Sequence, residues 1–384
     1  MTYVQTTRQS WLSRLTNSVG GMFVGLALVL AAFALLFWNE GRAIKTARAL
    51  AEGARLVLSV SADRIDPANE AKLVHISGSL APQGEPTDNQ FGMSAPGAIR
   101  LARKVEMYQW QEKRDSTTTT NVGGSQTTET KFSYERKWTE QAINSSSFQY
   151  SGHDNPPFPF SGQTFVIDSA RLGGFAIEGN RLSGLGNLEL VAPGQTALDA
   201  VSQLAGRRVR SQGGMVWTGD PQQPQIGDLR VSWSRAVVDT TSAIGRQTGD
   251  GLGGFRTSNG RELFFARIGK VPADAIFRQE ATSNAILTWA IRLLGLFLMY
   301  MGFGLSLRIF RVAADIIPPL GRLVQFGLGM VAMLSTLILG SLAIGLGWLF
   351  YRPLLGAAIL AIGLGAAWLL PRLAGVRTKT ATSG

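Results

Sequence analysis

Four long apolar runs constrain this chain more than any other feature. Residues 19–38 (VGGMFVGLALVLAAFALLFW) are twenty positions without a charge. At about 1.5 Å of rise per residue, a helix of that length covers roughly 30 Å, the hydrocarbon thickness of a bilayer. Residues 285–307, 323–350 and 354–370 repeat the pattern. The third run is long enough to tilt or to break at its glycines, and the fourth is short and closed by Pro371. Tyr351-Arg352-Pro353 reads as a tight turn between them. A cleaved signal peptide is the competing reading of the first run, since Ala32-Phe33-Ala34 resembles a small-residue cleavage site. However, the apolar residues continue through Trp38, and the run exceeds the roughly 7–15 residues of a signal-peptide core, which favours a retained anchor. Trp38, Trp289, Trp348, Tyr351 and Trp368 fall near the run ends, as interfacial aromatic belts require. Arg292, near the start of the second run, is expected to snorkel to the interface, and Arg352 to anchor the turn.

The formal charge of +11 belongs to these runs. Residues 1–38 hold Arg8 and Arg14 and no acid; residues 285–384 hold eight basic residues against Asp315 alone. That leaves 27 basic and 25 acidic residues in 39–284, a net of +2. The excess flanks the spans, where positive charge sets topology and meets anionic headgroups. The basic stripe that nucleic-acid binding needs is missing, and no nucleic-acid partner is expected. Three basic residues in 308–322, three in the tail and two before residue 19 outweigh the single Arg352 of the opposite turn. The positive-inside rule therefore predicts an N-terminal segment 1–18, a loop 308–322 and a tail 371–384 in the cytoplasm, with 39–284 outside it. The predicted class is an integral membrane protein with four α-helical transmembrane spans and a strand-rich α+β soluble domain inserted between spans one and two.

Within 39–284, residues 40–53 have helical propensity and extend the first span, with Gly53 ending the helix. Residues 55–60, 73–80, 99–110, 131–138, 164–167, 188–191, 209–217, 229–238 and 263–268 read as strands, rich in Val, Ile, Phe, Tyr and Trp. The Thr-, Ser- and Gly-rich stretch 116–130 reads as a flexible hairpin tip, and 155–159 as an extended crossing. Residues 196–204 suggest a short helix, and 271–284 a helix leading into the second span.

Few residues advertise chemistry. There is no cysteine, so disulfides and thiolate sites are excluded. His75 and His153 are far apart and match no metal-ligand spacing, so neither a metal nor a cofactor is expected. His75 sits in a strand pattern and reads as a satisfied structural histidine; His153 is expected to bond its neighbour Asp154 in a polar loop. The cluster from Gly249 to Gly254 lacks the lysine of a phosphate cradle and reads as a turn. No nucleophile elbow or zinc helix appears, and no pair among the many carboxylates stands out as a catalytic pair. The span interiors hold no ionisable group beyond Arg292 near an end, which disfavours a transport path. Small residues recur at four-residue spacing: Gly21 and Gly25, Ser341 and Gly345, Ala343 and Gly347, then Ala357, Ala361 and Gly365. They suit close helix packing, more simply within one chain than between copies.

Several segments resemble the transmembrane protein 43 (LUMA) family. They are Trp38-Asn39-Glu40-Gly41-Arg42-Ala43, Leu73-Val74-His75, Phe91-Gly92, Val105-Glu106-Met107-Tyr108-Gln109-Trp110, Asn155-Pro156 and Gly227-Asp228-Leu229-Arg230-Val231. Arg246-Gln247-Thr248-Gly249-Asp250, Thr288-Trp289-Ala290-Ile291-Arg292 and Tyr351-Arg352-Pro353-Leu354 continue the series. The similarity runs from about 38 to 360, leaving 116–130 and the tail poorly matched. It implies four spans, cytoplasmic termini and a lumenal domain; eukaryotic members occupy the endoplasmic reticulum and inner nuclear membrane, organising membrane protein complexes. It supplies no catalytic residues. Alanine- and glycine-rich spans suggest a bacterial member, in an inner membrane with a periplasmic domain. The expected function is a non-enzymatic scaffold that organises membrane or envelope proteins, with the lipid bilayer as a partner and a second copy as a candidate one. The alternative is an envelope enzyme or lipid-handling protein with a site at the domain–bilayer junction. Candidate interaction residues are Asn39, Glu40, Arg42, Glu106, Tyr108, Trp110, His153, Asn155, Asp228, Arg230, Arg246, Gln247 and Arg256.

Overall fold

The computed structural model describes residues 2–351, and the three apolar runs within that range are helical. Six α-helices are described: α1 (Trp11–Leu56), α2 (Gly179–Leu182), α3 (Gln195–Ala205), α4 (Ala273–Ser306), α5 (Arg308–Ala314) and α6 (Pro318–Tyr351). Among the described residues, α1, α4 and α6 are long and apolar enough to cross a membrane. The predicted fourth span at 354–370, Arg352 and the tail lie outside the described residues. Helix α1 absorbs residues 40–53 as expected but runs on to Leu56, so Gly53 does not end it and only Leu58–Ser59 remains of the strand expected over 55–60. Gly53 serves packing instead: a Cβ there would lie 2.6 Å from Leu263 Cδ1 and 2.9 Å from Phe277 Cε1.

The chain forms two compact units. The first comprises Met1–Thr6, Ala49–Thr117 and Glu129–Glu280; the second comprises Thr7–Arg48, Thr118–Thr128 and the described residues from Ala281 onward.

The first unit holds two large sheets. The eight-stranded sheet runs in the order Thr2–Gln9, Gln126–Thr139, Arg100–Thr120, Leu229–Ala236, Met215–Trp217, Arg210–Gln212. Glu189–Val191 also pairs with Leu229–Ala236, and Gln163–Val166 with Arg100–Thr120. Along Arg100–Thr120, burial alternates through Leu101, Arg103, Val105, Met107 and Gln109, the period of two that a half-buried strand imposes. Its buried face joins Phe91, Val231 and Trp233 and meets Ala197 and Val201 of α3. The stretch 209–217, read as one strand, is a hairpin: Gly213 and Gly214 both have left-handed φ (62° and 74°), which two-residue hairpin turns demand.

The seven-stranded sheet runs Phe265–Ile268, Thr240–Thr248, Gly251–Gly253, Phe175–Glu178, Ser169–Leu172, Leu73–Gln83, Leu58–Ser59. A further pairing of Thr240–Thr248 with Leu73–Gln83 closes five of these strands into a ring around Val74, Ile76, Leu172, Phe175 and Ile177. Closure removes free edges. Thr240–Thr248 escapes sequence reading because the small residues Ser242, Ala243 and Gly245 surround its one large buried side chain, Ile244, and leave too little apolar pattern to mark a strand. They are needed there, since a Cβ on Gly245 would lie 2.6 Å from the Gly253 carbonyl oxygen. A third core joins Ala49 and Leu50 of α1 with Ile276 and Phe277 of α4 against Leu73, Ile244 and Leu263. Burying a side chain such as Phe277 contributes about 1.5–3 kcal/mol.

The Thr-rich stretch expected as a flexible tip is mostly strand. Arg100–Thr120 and Gln126–Thr139 continue through it, leaving only residues 121–125 as the turn. Hydroxyls pair across the strands, Ser116 with Thr130 and Thr118 with Thr128, each at 3.0 Å. Threonine's branched Cβ favours this pleated backbone even where nothing apolar is buried.

In the second unit, Val29, Ala32 and Leu36 of α1 pack with Met299 of α4 and Ala343 of α6. At Gly25 the backbones of α1 and α4 nearly touch: a Cβ would lie 2.5 Å from the Gly302 carbonyl oxygen. Of the expected small-residue pairs, Gly25, Ala343 and Gly347 thus make close contacts, whereas Gly21 and Gly345 face open space. The hairpin turn belongs to this unit. Arg14 donates to the Gly124 carbonyl and pairs with Asp315, both charged side chains being almost fully buried. Gly123 N–H donates to the Ile316 carbonyl at 3.1 Å, and Trp11 Nε1 to that of Val312 at 2.8 Å. The charge bias predicts residues 1–18 and 308–322 on one membrane face and 39–284 on the other; the turn at 121–125 contacts Arg14 and Ile316.

Candidate functional site

The sequence motif Asn39-Glu40-Gly41-Arg42 nucleates a polar cluster among the helices of the second unit. Asn39 and Glu40 are the two most buried of its polar residues. Arg292, one-sixth exposed at most, turns inward and donates from Nε and Nη2 to the two Glu40 oxygens at 2.7 and 2.8 Å. Trp348 Nε1 donates to Glu40 Oε2 at 2.8 Å. The Arg292 guanidinium also lies 4.8 Å from the Trp289 ring centroid. Beside this trio, Arg42 donates to Asn39 Oδ1, to Asn284 Oδ1 at 3.0 Å and to Thr288 Oγ1 at 2.9 Å. Asn39 Nδ2 donates to the Thr288 carbonyl at 3.1 Å, and Asn284 Nδ2 to that of Ala43 at 3.0 Å. The cluster borders an open hollow of about 190 Å³.

Two residues read from the sequence as interfacial anchors, Arg292 and Trp348, direct their side-chain donors to Glu40. Arg292 does not snorkel outward, because a carboxylate 252 positions away in sequence offers it two charge-assisted bonds. Trp348 spends its indole N–H on the same carboxylate. Trp38 and Trp289 do remain largely exposed on their helices, and Tyr351 packs on Phe37 and beside Gly41. The pairing had a partial signal: an acid just past the end of the first apolar run and a base near the start of the second are complementary charges at adjoining helix ends.

The domain motifs gather on the eight-stranded sheet. Glu106 and Arg230 face each other in register and form a two-bond ion pair of 2.6 and 2.7 Å. Lys104 bridges Glu106 and Glu140 at 3.4 and 3.1 Å. Burial works against ionisation of Glu106, but Arg230 and Lys104 outweigh it and hold the carboxyl below its ordinary value. Arg230 stacks on Trp138, which also touches Tyr108 and Trp217. Asp228 pairs with Arg207 at 3.0 Å.

Asn155 acts as a surrogate strand: its side-chain amide accepts from the Trp110 N–H at 2.7 Å and donates to the Trp110 carbonyl at 2.9 Å. His153 does not bond Asp154 as expected. Its ring stacks on Tyr134 with centroids 3.7 Å apart and meets Trp110 edge-on at 4.9 Å, and its Nδ1 is buried without a hydrogen-bond partner. Aromatic stacking outbids the local carboxylate because the loop folds onto the sheet. Burial and Glu112, which accepts the Tyr134 hydroxyl proton at 2.6 Å, push the Tyr134 phenol up.

The remaining candidates lie elsewhere in the first unit. His75 is the satisfied structural histidine expected, with Nε2 2.9 Å from the Val271 carbonyl and Nδ1 3.2 Å from Ser59 Oγ; burial lowers its pKa against that carbonyl bond. Gln247 is buried and donates to the Asp66 carbonyl at 2.8 Å, while Arg246 on the same strand is exposed. Arg256 is exposed opposite Glu262 in a two-stranded ribbon. No three His, Asp or Glu side chains converge as metal ligands do among the described residues. Sequence reading also missed the buried Asp88–Arg103 pair, which Trp233 Nε1 completes at 2.9 Å.

These features define a membrane protein built from apolar helices and a large strand-rich domain, with buried ion pairs in both. The chain belongs to the transmembrane protein 43 family, whose model matches residues 107–353. It is 35% identical to human transmembrane protein 43 over 376 residues, covering 94% of this chain and 92% of the human one. The mouse protein is also 35% identical, over 91% and 89% of the two chains, and the Drosophila melanogaster homologue 28% over 88% and 91%. No solved structure matches the chain.

Proposed function

We propose that the protein is a non-enzymatic membrane scaffold: four spans, with the strand-rich domain inserted between the first and second, hold a surface that organises membrane proteins. The observation that supports this is how the buried charges are used. Glu40 with Arg292, Asp88 with Arg103, Glu106 with Arg230 and Arg14 with Asp315 each neutralise one another across separate elements. Charges spent in this way fix the packing of helices and strands. The enzymatic alternative calls for carboxylates converging with His153 and Arg256, whereas His153 has aromatic neighbours and Arg256 an exposed ribbon. Leu188 and Leu190, half exposed at the edge strand Glu189–Val191, offer apolar area for a protein partner. The test is affinity capture of the full chain from native membranes, comparing wild type with Leu188→Glu/Leu190→Glu. Stoichiometric partner proteins lost from the variant support a scaffold. Recovery of the chain alone, together with turnover of a lipid substrate, overturns it.

A further inference from the structure

A second feature of the helical unit has no part in the scaffold reading and stands independently of it. Where α4, α5 and α6 meet, two hollows adjoin and share Tyr300, Gln325 and Gly329. The smaller, about 260 Å³, is bordered by Arg308 and Arg311; the larger, about 760 Å³, is walled by Phe297, Phe326, Met330, Met333 and Leu337, with Arg322 at its rim. The larger lies within the roughly 300–1,000 Å³ typical of ligand sites. One end is thus cationic and the other apolar.

Among the described residues the cations are uncommitted. Arg308, Arg311 and Arg322 form no ion pair among the described residues. The nearest acid in sequence, Asp315, is already held by Arg14. Arg311 Nε is moreover buried without a hydrogen-bond acceptor, a condition that proteins rarely tolerate. The space is kept open by absent side chains. A Cβ on Gly304 would meet nothing within 4 Å, and one on Gly329 only the Tyr300 hydroxyl at 3.9 Å.

We propose that this composite groove binds an anionic membrane phospholipid, with its phosphate against Arg308 and Arg311 and an acyl chain along the α4–α6 wall. Guanidinium groups suit phosphate because their paired N–H donors match two oxygens at once. A soluble anion would use the cationic end only; the continuous apolar wall selects an amphiphile. The three arginines belong to the short loop whose charge the positive-inside rule reads, so the residues that orient the chain would also hold the lipid.

The test uses the full chain, purified in mild detergent and mixed with equal phosphatidylglycerol and phosphatidylcholine, with bound lipids counted by native mass spectrometry. Wild type should prefer phosphatidylglycerol about tenfold. Arg308→Gln/Arg311→Gln should abolish the preference, and Gly304→Leu/Gly329→Leu should reduce binding of both lipids, each variant keeping the wild-type melting temperature. Equal retention of the two lipids by wild type, or an undiminished preference in the arginine variant, overturns the proposal. Displacement of the lipid by millimolar inorganic phosphate would also overturn it, marking an anion site in place of a lipid site. Because the wild-type preference and the phosphate competition need no substitution, a misfolded variant does not spare the proposal.

Discussion

Arg292 holds both carboxylate oxygens of Glu40, at 2.7 and 2.8 Å, although the two residues lie 252 positions apart on different helices. The pair ties α1 to α4, and Trp348 adds α6 through a third bond to the same carboxylate. One residue of the family motif thereby links the three apolar helices described.

Removing one partner should be worse than removing both. Glu40→Ala strands a largely buried guanidinium and should cost about 3–5 kcal/mol, because an uncompensated charge then remains in a poorly solvated place. Glu40→Leu/Arg292→Leu should recover a large part of that loss. Thermal unfolding of the detergent-solubilised chain measures both. Equal destabilisation by the single and double variants would show that packing around Glu40, not its charge, matters.

The α1–α4 crossing at Gly25 should tolerate no side chain. Gly25→Leu must displace the Gly302 carbonyl and Ser306 and should cost at least about 1–3 kcal/mol, with α1 and α4 prised apart. Gly20→Ala, where a Cβ meets nothing, should be neutral or slightly stabilising. Melting temperatures of the two variants decide the matter, and a benign Gly25→Leu would refute the close crossing.

The hairpin turn should share a membrane face with the N-terminal segment. The chain has no cysteine, so single substitutions at Arg8 and at the highly exposed Val122 report accessibility cleanly. Both should react with an impermeant maleimide added to the same side of sealed vesicles. Labelling from opposite sides would show that the contacts of Arg14 with Gly124 do not persist in the membrane.

Acid should destabilise the domain in two stages. The folded His75 resists protonation, so as pH falls through the ordinary histidine range the unfolded chain takes up a proton that the folded one does not. Glu106, held below its ordinary value, contributes stability above the usual glutamate range and loses it as pH falls through its own lower pKa. His75→Gln should flatten the upper stage of a melting-temperature profile, and Arg230→Gln the lower. Profiles parallel to wild type would remove these groups from the acid response.

Much of this protein was legible in its sequence, because some forces act on neighbours alone. Runs such as 19–38 announce membrane helices, since a bilayer demands roughly twenty apolar residues whatever the rest of the chain does. Alternation over 99–110 announces a half-buried strand for a similarly local reason. The family motifs also marked Glu40, Glu106, Asn155 and Arg230 as residues worth attention. Partners were settled only by tertiary structure: Arg292 turned inward, His153 left Asp154 for Tyr134, and Arg14 found Asp315 beside the hairpin turn. A charge or ring buried far from water takes whichever compensating group folding brings within about 3–5 Å, and sequence distance has no bearing on that choice. Thr240–Thr248 shows the same limit for backbone: its small residues mark no strand by themselves, and only the neighbours crowding Gly245 make them necessary.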